Sequence, residues 1–391
     1  MNRLRSLFAA LSIIATAAIV AACSNTNFNQ LGIGTPQPAA PQTAMLGSGQ
    51  VRVALILPLT AAGNAGVAAQ SMKNAAEMAL ADFRNSEIQL LVKDDAGTPQ
   101  GAQAAAQQAM SEGAEIIIGP LFAQAVSAVG AVARPRGIPV IAFSTDASVA
   151  TRGVYLLSFL PETDVKRIIG YQISRGKRSF AALLPDNAYG AVVQAAFQQE
   201  VARRNGRILA LQQYPVDPSR LAGPVRQVAQ VARRVDSIFI PDSADAVPQV
   251  VRQLAASGVD LRRVQLLGTG LWEDPRIFAD KQLQGGLYAA PDSSGFRKFS
   301  ARYRGRYGQD PVRTATLAYD AVALVIALTK TQGAQRFSES VLTNSSGFSG
   351  IDGVFRFRRD GTNERGLAVL RVTSTGGQVV SPAPRSFQPG S

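Results

Sequence analysis

The chain has 391 residues, of which 46% are hydrophobic and 17% charged, so it is long enough to form two globular domains with sizeable cores. It contains no histidine and one cysteine, which excludes a Ser-His-Asp catalytic site, any histidine-based zinc site and an intramolecular disulfide. The formal net charge is +13, and part of the excess is arginine spread along the chain in pairs such as Arg203-Arg204, Arg233-Arg234 and Arg262-Arg263. Scattered charge is typical of a solvated surface, and the functional alternative is attraction to an anionic membrane, a wall polymer or an acidic partner. No basic stripe with interleaved aromatic residues occurs, so nucleic acid is not expected as a partner.

The amino-terminal segment has a basic start, an apolar run and small residues before Cys23, which predicts a secretory signal peptide over residues 1–22. Its end, Val20-Ala21-Ala22-Cys23, resembles the bacterial lipobox, in which the cysteine is lipidated and becomes the mature amino terminus. A plain signal peptide followed by an unrelated cysteine is the alternative. Ser24 follows the cysteine, and by resemblance to lipoprotein sorting rules this favours the outer membrane over the inner one.

The next segment, Ser24 to Gln50, carries no charged residue and is rich in Asn, Gln, Pro and Gly. Such a composition buries too little apolar surface to fold. We therefore expect residues 23–50 to be a lipidated cysteine followed by a disordered tether.

Predicted strands and helices then alternate in two series, which is the pattern of an α/β fold with parallel sheets and right-handed crossovers. The first series has strands at 51–57, 88–92, 116–118, 138–143 and 155–159, with helices at 64–83, 101–110 and 123–134. The second series has strands at 180–184, 208–213, 237–240 and 264–267, with helices at 164–174, 189–204, 220–232 and 246–256.

The tail has a different pattern. Helices are predicted at 296–307, 314–329 and 336–342, and a hairpin is predicted between strands at 354–357 and 368–372. Two series of strands with later returns of the chain predict two lobes joined by several crossings, which permits hinge closure on a ligand.

Several motifs carry a family resemblance. In chain order they are Val53–Thr60, Asp94-Asp95 with Pro99, Ile118-Gly119-Pro120, Pro139–Ile141 with Ser144-Thr145, Asp186 with Tyr189-Gly190, and Gly353–Phe357 with Asp360-Gly361. Together they resemble type I periplasmic binding proteins of the leucine/isoleucine/valine-binding group, over about residues 51–375. The resemblance implies two Rossmann-like lobes with parallel-sheet cores and a multi-strand hinge. It divides the chain into lobe 1 (51–160 plus 293–346), lobe 2 (161–292 plus 347–378) and a flexible tail (379–391).

The resemblance also implies a ligand cleft at the carboxyl ends of the strands. Its expected lining residues are Thr60, Phe122, Ala123, Ser144, Thr145, Asp146, Tyr189, Asp242, Ser243, Thr269 and Trp272. Loops of this kind lead into helix N-termini, whose free amides suit a carboxylate. For Trp272, ligand stacking and ordinary packing are both open.

Two departures from the family pattern concern the ligand. The hydroxyl expected just past the third strand is replaced by Ala123 or its neighbour Phe122. The loop after strand 264–267, where a glutamate often receives an ammonium group, reads Gly268-Thr269-Gly270-Leu271, and Glu273 lies beyond it.

The resemblance implies an extracytoplasmic, periplasmic lipoprotein that captures an amino acid or related solute for ABC-type uptake or sensing, with an ABC permease among its expected partners. With no histidine, no Gly-x-Ser-x-Gly motif and a single cysteine, we expect a binding protein rather than an enzyme, with no cofactor and no metal. The alternative is an outer-membrane lipoprotein that resembles penicillin-binding protein activators, whose partner would be a penicillin-binding protein. The tether, Leu59-Thr60 and Gly119-Pro120-Leu121 fit that group as well.

Overall fold

A computed structural model describes residues 44–83, 86–215, 217 and 220–387 of the chain. The signal peptide, Cys23 and most of the predicted tether lie outside the described residues. The last part of the tether prediction is wrong, because residues 44–46 form an edge strand. Three uncharged residues there pair with the free edge of a neighbouring strand, whose backbone groups would otherwise lack partners.

The first lobe is built on a six-stranded sheet with the order β1-β3-β2-β4-β5-β6. Its strands are β1 (Ala44–Leu46), β2 (Val51–Leu57), β3 (Ile88–Asp94), β4 (Ile116–Ile118), β5 (Val140–Ala142) and β6 (Val154–Leu156). Its connecting helices are α1 (Asn64–Asp82), α2 (Pro99–Ser111) and α3 (Ala123–Ala133). All pairs are parallel except β1 with β3. Every residue of β4 is buried, as expected for a β-branched run covered on both faces.

The second lobe follows the same plan. Its helices are α4 (Pro161–Ser174), α5 (Ala188–Arg203), α6 (Ala222–Val231), α7 (Val247–Ala256) and α8 (Pro275–Ala279). Its parallel strands are β7 (Ser179–Pro185), β8 (Arg207–Tyr214), β9 (Ser237–Phe239), β10 (Gln265–Gly268) and β11 (Leu287–Ala290). Strand β11 was not predicted from the sequence. It pairs in parallel with β10 in the sheet.

The carboxyl-terminal part of the chain contributes helices and strands to both lobes. Helices α9 (Ser293–Tyr307), α10 (Ala315–Gln332) and α11 (Glu339–Leu342) precede the three-stranded antiparallel sheet β12 (Phe348–Gly350), β13 (Gly353–Phe357) and β14 (Asn363–Arg365). Strands β15 (Ala368–Thr373) and β16 (Gly376–Ser381) then join the second sheet, with β15 antiparallel to β11. No helix in the described ranges has the length and apolar character needed to cross a membrane.

The predicted hairpin is wrong in its pairing. The turn lies where it was expected, but β13 pairs with β14, while β15 pairs with β11 and β16. The reason is burial: Phe355 and Phe357 are almost fully buried in the core of the first lobe, and the ring of Phe357 lies 5.5 Å from that of Tyr155. The segment expected in lobe 2 is therefore divided, with β12–β14 packed on the first lobe and β15–β16 in the second sheet. Because β16 runs to Ser381, the predicted flexible tail also begins too early.

Helices cover both faces of each sheet. The first sheet packs on α1 and α10 on one face and on α2 and α3 on the other. The second packs on α6 and α7 on one face and on α4 and α5 on the other. The chain passes between the lobes after β6, after β11 and after β14.

Candidate functional site

Charged and aromatic residues hold together the segments where the chain crosses between the lobes. Arg313 forms a two-pronged ion pair with the buried carboxylate of Asp352, at 3.0 and 2.6 Å, and its guanidinium lies 4.6 Å from the ring centre of Phe159. Arg365 donates through Nε to the carbonyl of Ser158 at 3.0 Å, and among the described residues its two Nη atoms find no hydrogen-bond acceptor. The charge of Arg365 acts on Asp164 of the second lobe, so this buried guanidinium lies close to that carboxylate.

Tyr189 and Thr269 join two loops at the carboxyl edge of the second sheet. Tyr189 lies in the first turn of α5, which is capped by Asn187, and its hydroxyl is 3.0 Å from Oγ1 of the fully buried Thr269. Burial raises the pKa of Tyr189 above its usual value, and nearby carboxylates add to the rise. The phenol therefore stays neutral near pH 7 and acts by hydrogen bonding.

Tyr214 and Asp242 form a second pair at the same edge. The hydroxyl of Tyr214, at the end of β8, donates to Oδ2 of Asp242 at 2.6 Å, and the amide of Ser243 donates to Oδ1 at 2.7 Å. Burial raises the pKa of Tyr214, the Asp242 carboxylate adds to the rise, and Tyr189 contributes a smaller part, so the two tyrosines are neighbours. Tyr214 was not among the expected site residues, although its place at the end of a strand was a usable signal.

Asp164 and Glu162, in the first turn of α4, bring further carboxylates to this edge. The amide of Gly270 donates to Oδ2 of Asp164 at 2.9 Å. Burial raises the pKa of Asp164 to about 7, and the Glu162 carboxylate adds to the rise. Oε2 of Glu162 is buried and has no hydrogen-bond partner among the described residues. Burial also raises the pKa of Glu162, and Asp146 of the first lobe adds to that rise, so this carboxylate faces the first lobe.

No pattern in the sequence assigns Asp164 or Glu162 to a site. Acidic residues in the first turn of a helix are common because they interact favourably with the helix dipole. Only the fold shows that α4 begins at the carboxyl edge of the sheet.

Trp272 belongs to the core rather than to the cleft lining. It is fully buried, and its Nε1 donates to the carbonyl of Ile240 at 3.0 Å. Its ring covers Gly268 so closely that a Cβ atom there would lie 2.1 Å from it. Of the two interpretations, packing is therefore correct and ligand stacking is wrong. The neighbouring Glu273 is also engaged, because the hydroxyl of Tyr288 donates to its carboxylate.

The carboxyl edge of the first sheet has simpler chemistry. Thr60 is exposed, and its amide donates to Oδ1 of Asp94 at 3.3 Å. Ser144 is buried, and its Oγ accepts from the amide of Asp146 at 3.1 Å, while Thr145 and Asp146 are exposed.

The start of α3 lies beside these residues, because the amide of Phe143 donates to the carbonyl of Pro120 at 3.0 Å. Phe122 is 38% exposed, and Ala123 begins the helix without a side-chain cap. The amides of the first turn are therefore available to an anion. Position 123 contributes no hydroxyl, so an anion there would depend on these amides.

The structure thus gathers the expected residues in two groups. Tyr189, Asp242, Ser243 and Thr269 lie together on the second lobe with Tyr214, Asp164 and Glu162, and Thr60, Phe122, Ala123, Ser144, Thr145 and Asp146 lie along the first. Within the described ranges, no cluster of three or more acidic or cysteine side chains is suited to a metal ion.

A family model described as periplasmic binding protein matches residues 50–378. Among solved structures, a putative branched-chain amino acid ABC transporter protein from Rhodospirillum rubrum is 18% identical with a TM-score of 0.76, covering 84% of this chain and 99% of that chain. A leucine binding protein from Thermotoga maritima is 17% identical with a TM-score of 0.59, covering 85% and 98%. A solute binding protein from R. palustris in complex with benzoate is 17% identical with a TM-score of 0.60, covering 88% and 98%. These likenesses show the fold.

Two curated relatives match part of the chain. An uncharacterized protein of Rickettsia prowazekii is 24% identical over 183 residues, which are 47% of this chain and 48% of that protein. The penicillin-binding protein activator LpoA of Vibrio cholerae is 27% identical over 234 residues, which are 58% of this chain and 34% of that protein. The match therefore spans about half of the first relative and about a third of the second.

Proposed function

Because the chain belongs to the periplasmic binding protein family, we propose that it captures a small zwitterionic solute, an amino acid or a related compound, between its two lobes. Family membership implies a periplasmic location. The proposed activity is binding without catalysis, and the proposed outcome is delivery to an ABC-type permease or a sensing partner.

The observation that carries the proposal is the gathering of carboxylates around Tyr189. The charges of Asp164, Asp242 and Glu162 all act on its hydroxyl, so three acids lie at one edge of the second sheet. Two of them accept bonds from protein donors, at Gly270 and Tyr214, and still have free lone pairs. A protonated amine is the group that this acceptor-rich edge suits best.

The first lobe supplies the complementary half. The uncapped start of α3 presents backbone amides and the positive end of the helix dipole, which suit a carboxylate. Leucine and benzoate, named for two of the solved neighbours, both carry a carboxylate. A solute with a carboxylate at one end and an ammonium at the other would therefore contact both lobes and favour their closure.

The test is a thermal-unfolding screen of the full-length protein against the common amino acids, small dipeptides, amines and aromatic acids. A ligand that binds only the folded state stabilises it by about 2.7 kcal/mol at a concentration of 100 Kd. We expect at least one amino acid or close relative to raise Tm. The shift should disappear in Asp242→Asn and persist in Asp310→Asn, a matched change at an exposed carboxylate outside both edges. If no compound in the screen raises Tm, the solute-binding proposal fails.

A second candidate function rests on the similarity to the activator LpoA. In that case the chain would bind a peptidoglycan synthase of the penicillin-binding class through protein contact. Recovery of such a synthase with the full-length protein, together with no response in the solute screen, would favour this function. A solute response without synthase recovery would oppose it.

We also propose that Cys23 is lipidated and anchors the protein, with the outer membrane as the expected site. The support is the lipobox-like sequence before the cysteine and the serine after it. Substitution of Cys23 by Ser should release the protein from the membrane fraction. Continued membrane retention of Cys23→Ser would contradict the anchor.

A further inference from the structure

The arginines that are scattered in the sequence converge on one end of the second lobe. Strands β7 to β11 are parallel, so the segments that precede them meet at the amino edge of the sheet. We call the segments 175–178, 203–207, 233–236, 260–263 and 280–286 the basic edge. It contains the eleven cations Arg175, Lys177, Arg178, Arg203, Arg204, Arg207, Arg233, Arg234, Arg262, Arg263 and Lys281, and three acids, Asp236, Asp260 and Asp280.

The cations of the basic edge face solvent and lie close to one another. All are exposed except Arg204, which is half-buried beside Glu200. The guanidinium of Arg178 donates to the carbonyl of Arg204 at 3.1 Å, and that of Arg263 donates to the carbonyl of Arg233. Cations gathered at one edge repel one another, and an anion bound among them would reduce that repulsion.

The acids of the basic edge are engaged in local structure. Asp236 accepts from the amides of Arg178 and Ser179 at 2.9 and 3.0 Å, which fixes the start of β7. Asp260 and Asp280 each accept from the amide two residues ahead, at 3.0 and 2.8 Å. Among the described residues, no carboxylate forms an ion pair with Arg233, Arg234 or Arg262. Lys177 pairs with Asp236, and Arg203 and Arg204 pair with Glu200 near the end of α5, so the positive charge is neutralised only in part within the lobe.

Among the residues that the structure describes, the first lobe has no such excess at the corresponding edge. The described segments before β3 to β6 carry three cations and three acids, namely Arg134, Arg136, Arg152, Glu87, Glu112 and Glu115. Two ion pairs also form at this edge. Arg152 pairs with Glu339 at 2.7 Å, and Glu115 pairs with Arg336 at 2.7 Å. The basic edge is thus a property of one lobe and not a consequence of the overall charge.

We propose that the basic edge docks on an anionic lipid surface and binds its phosphate groups. Guanidinium groups bind phosphate oxygens in pairs, and cations spread over five strand ends suit an extended array of phosphates. A protein partner is disfavoured because such interfaces have an apolar centre. The exposed large hydrophobic side chains of the described residues all lie outside the five segments, at Met45, Val67, Phe122, Val192, Leu271 and Val379.

The proposal is tested by vesicle co-sedimentation of the full-length protein. The measured quantity is the ratio of two apparent affinities, one for vesicles with about 30% phosphatidylglycerol and one for neutral phosphatidylcholine vesicles. The amino-terminal segment contributes to binding of both kinds of vesicle, so the ratio isolates the effect of lipid charge. We expect a ratio of at least about 100 at low salt, falling towards one in about 0.5 M NaCl. The triple variant R233Q/R234Q/R262Q should lower the ratio at least about tenfold with an unchanged Tm, since all three side chains are exposed.

The matched control is K298Q/R306Q/K330Q, which removes the same charge from exposed positions on α9 and α10. It should change the ratio less than about threefold. A wild-type ratio near one would overturn the proposal. Equal losses in the two triple variants would also overturn it, because binding would then follow net charge alone.

Discussion

At the carboxyl edge of the first sheet the start of α3 presents free backbone amides, and the carboxylates of Asp94 and Asp146 accept hydrogen bonds from local amides. At the edge of the second sheet the polar groups are tyrosines and carboxylates. The first edge has the uncapped start of α3 and the hydroxyl of Ser144. The second has Tyr189 bonded to Thr269 and Tyr214 bonded to Asp242. Two lobes with the same alternation of strands and helices therefore differ in chemistry, with free amides at a helix start on the first edge and partly buried tyrosines and carboxylates on the second.

The two edges differ in whether their binding groups belong to the backbone or to side chains. Donors on the first edge come from the backbone, so they persist through most side-chain changes. Acceptors on the second edge are side chains whose loops are held by buried residues such as Trp272. The second edge should therefore be the more sensitive to substitution, in stability as well as in binding.

The largest expected effect is on the stability of the second lobe. Trp272→Ala removes a fully buried ring and its hydrogen bond to Ile240, and should lower the free energy of unfolding by about 3–5 kcal/mol. Phe122→Ala, at a partly exposed aromatic residue of the first edge, should cost less than about 1 kcal/mol. Urea unfolding of both variants makes the comparison. If the two variants lose the same free energy of unfolding, the second edge is not the more sensitive of the two to substitution.

The next effect concerns charge at the second edge. Because burial raises the pKa of Asp164 to about 7, the folded protein holds a proton there that the unfolded chain loses near pH 4. This group therefore lowers stability as pH rises from about 4 to about 7, and an ammonium ligand should bind more tightly above pH 7, where the carboxylate is charged.

Asp164→Asn separates these two consequences. It should weaken binding of an ammonium ligand at least about tenfold at pH 8 and abolish the rise in affinity between pH 6 and pH 8. It should also raise the free energy of unfolding of the free protein at pH 8, by about 1 kcal/mol, because the buried charge is gone. Calorimetry and urea unfolding at both pH values measure the two effects. An unchanged pH profile of affinity would remove Asp164 from the site.

The smallest expected effect lies at the first edge. Ala123→Ser restores a hydroxyl at the start of α3, where it could donate to a bound carboxylate. One added hydrogen bond should improve affinity by about 0.5–1.5 kcal/mol, or roughly twofold to tenfold. Titration of Ala123→Ser and of Thr145→Ser, a change one strand away, gives the contrast. Weaker binding by Ala123→Ser would indicate that the carboxylate lies elsewhere.

The strands of both sheets were largely predictable because buried parallel strands have a local signature. The run Ile116–Ile118 and the segment Val51–Leu57 are almost continuously apolar, and both are buried strands. Strand β14 was missed because its residues, Asn363–Arg365, are polar. Contacts with residues distant in the sequence hold it in place, including two hydrogen bonds that Asn363 donates to the carbonyls of Leu156 and Ser158. Local pattern carries no information on such pairings.

Candidate site residues were expected where the family resemblance assigns a loop after a strand to the cleft. Tyr189, Asp242 and Thr269 were expected on that basis, and the structure brings them to one edge. Asp164 was missed because its helix starts at that edge through a lobe crossing, which no local pattern reveals. Trp272 follows a strand as well, yet it turns inward because Gly268 leaves space for its ring.

Calorimetric titration of the full-length protein with an amino acid from the screen, and with its amine and carboxylic acid analogues that each lack one charged group, tests the central claim most directly. If the two edges bind opposite ends of one solute, the amino acid should bind and each analogue should bind at least about tenfold more weakly. Binding of either analogue as tightly as the amino acid would contradict the account.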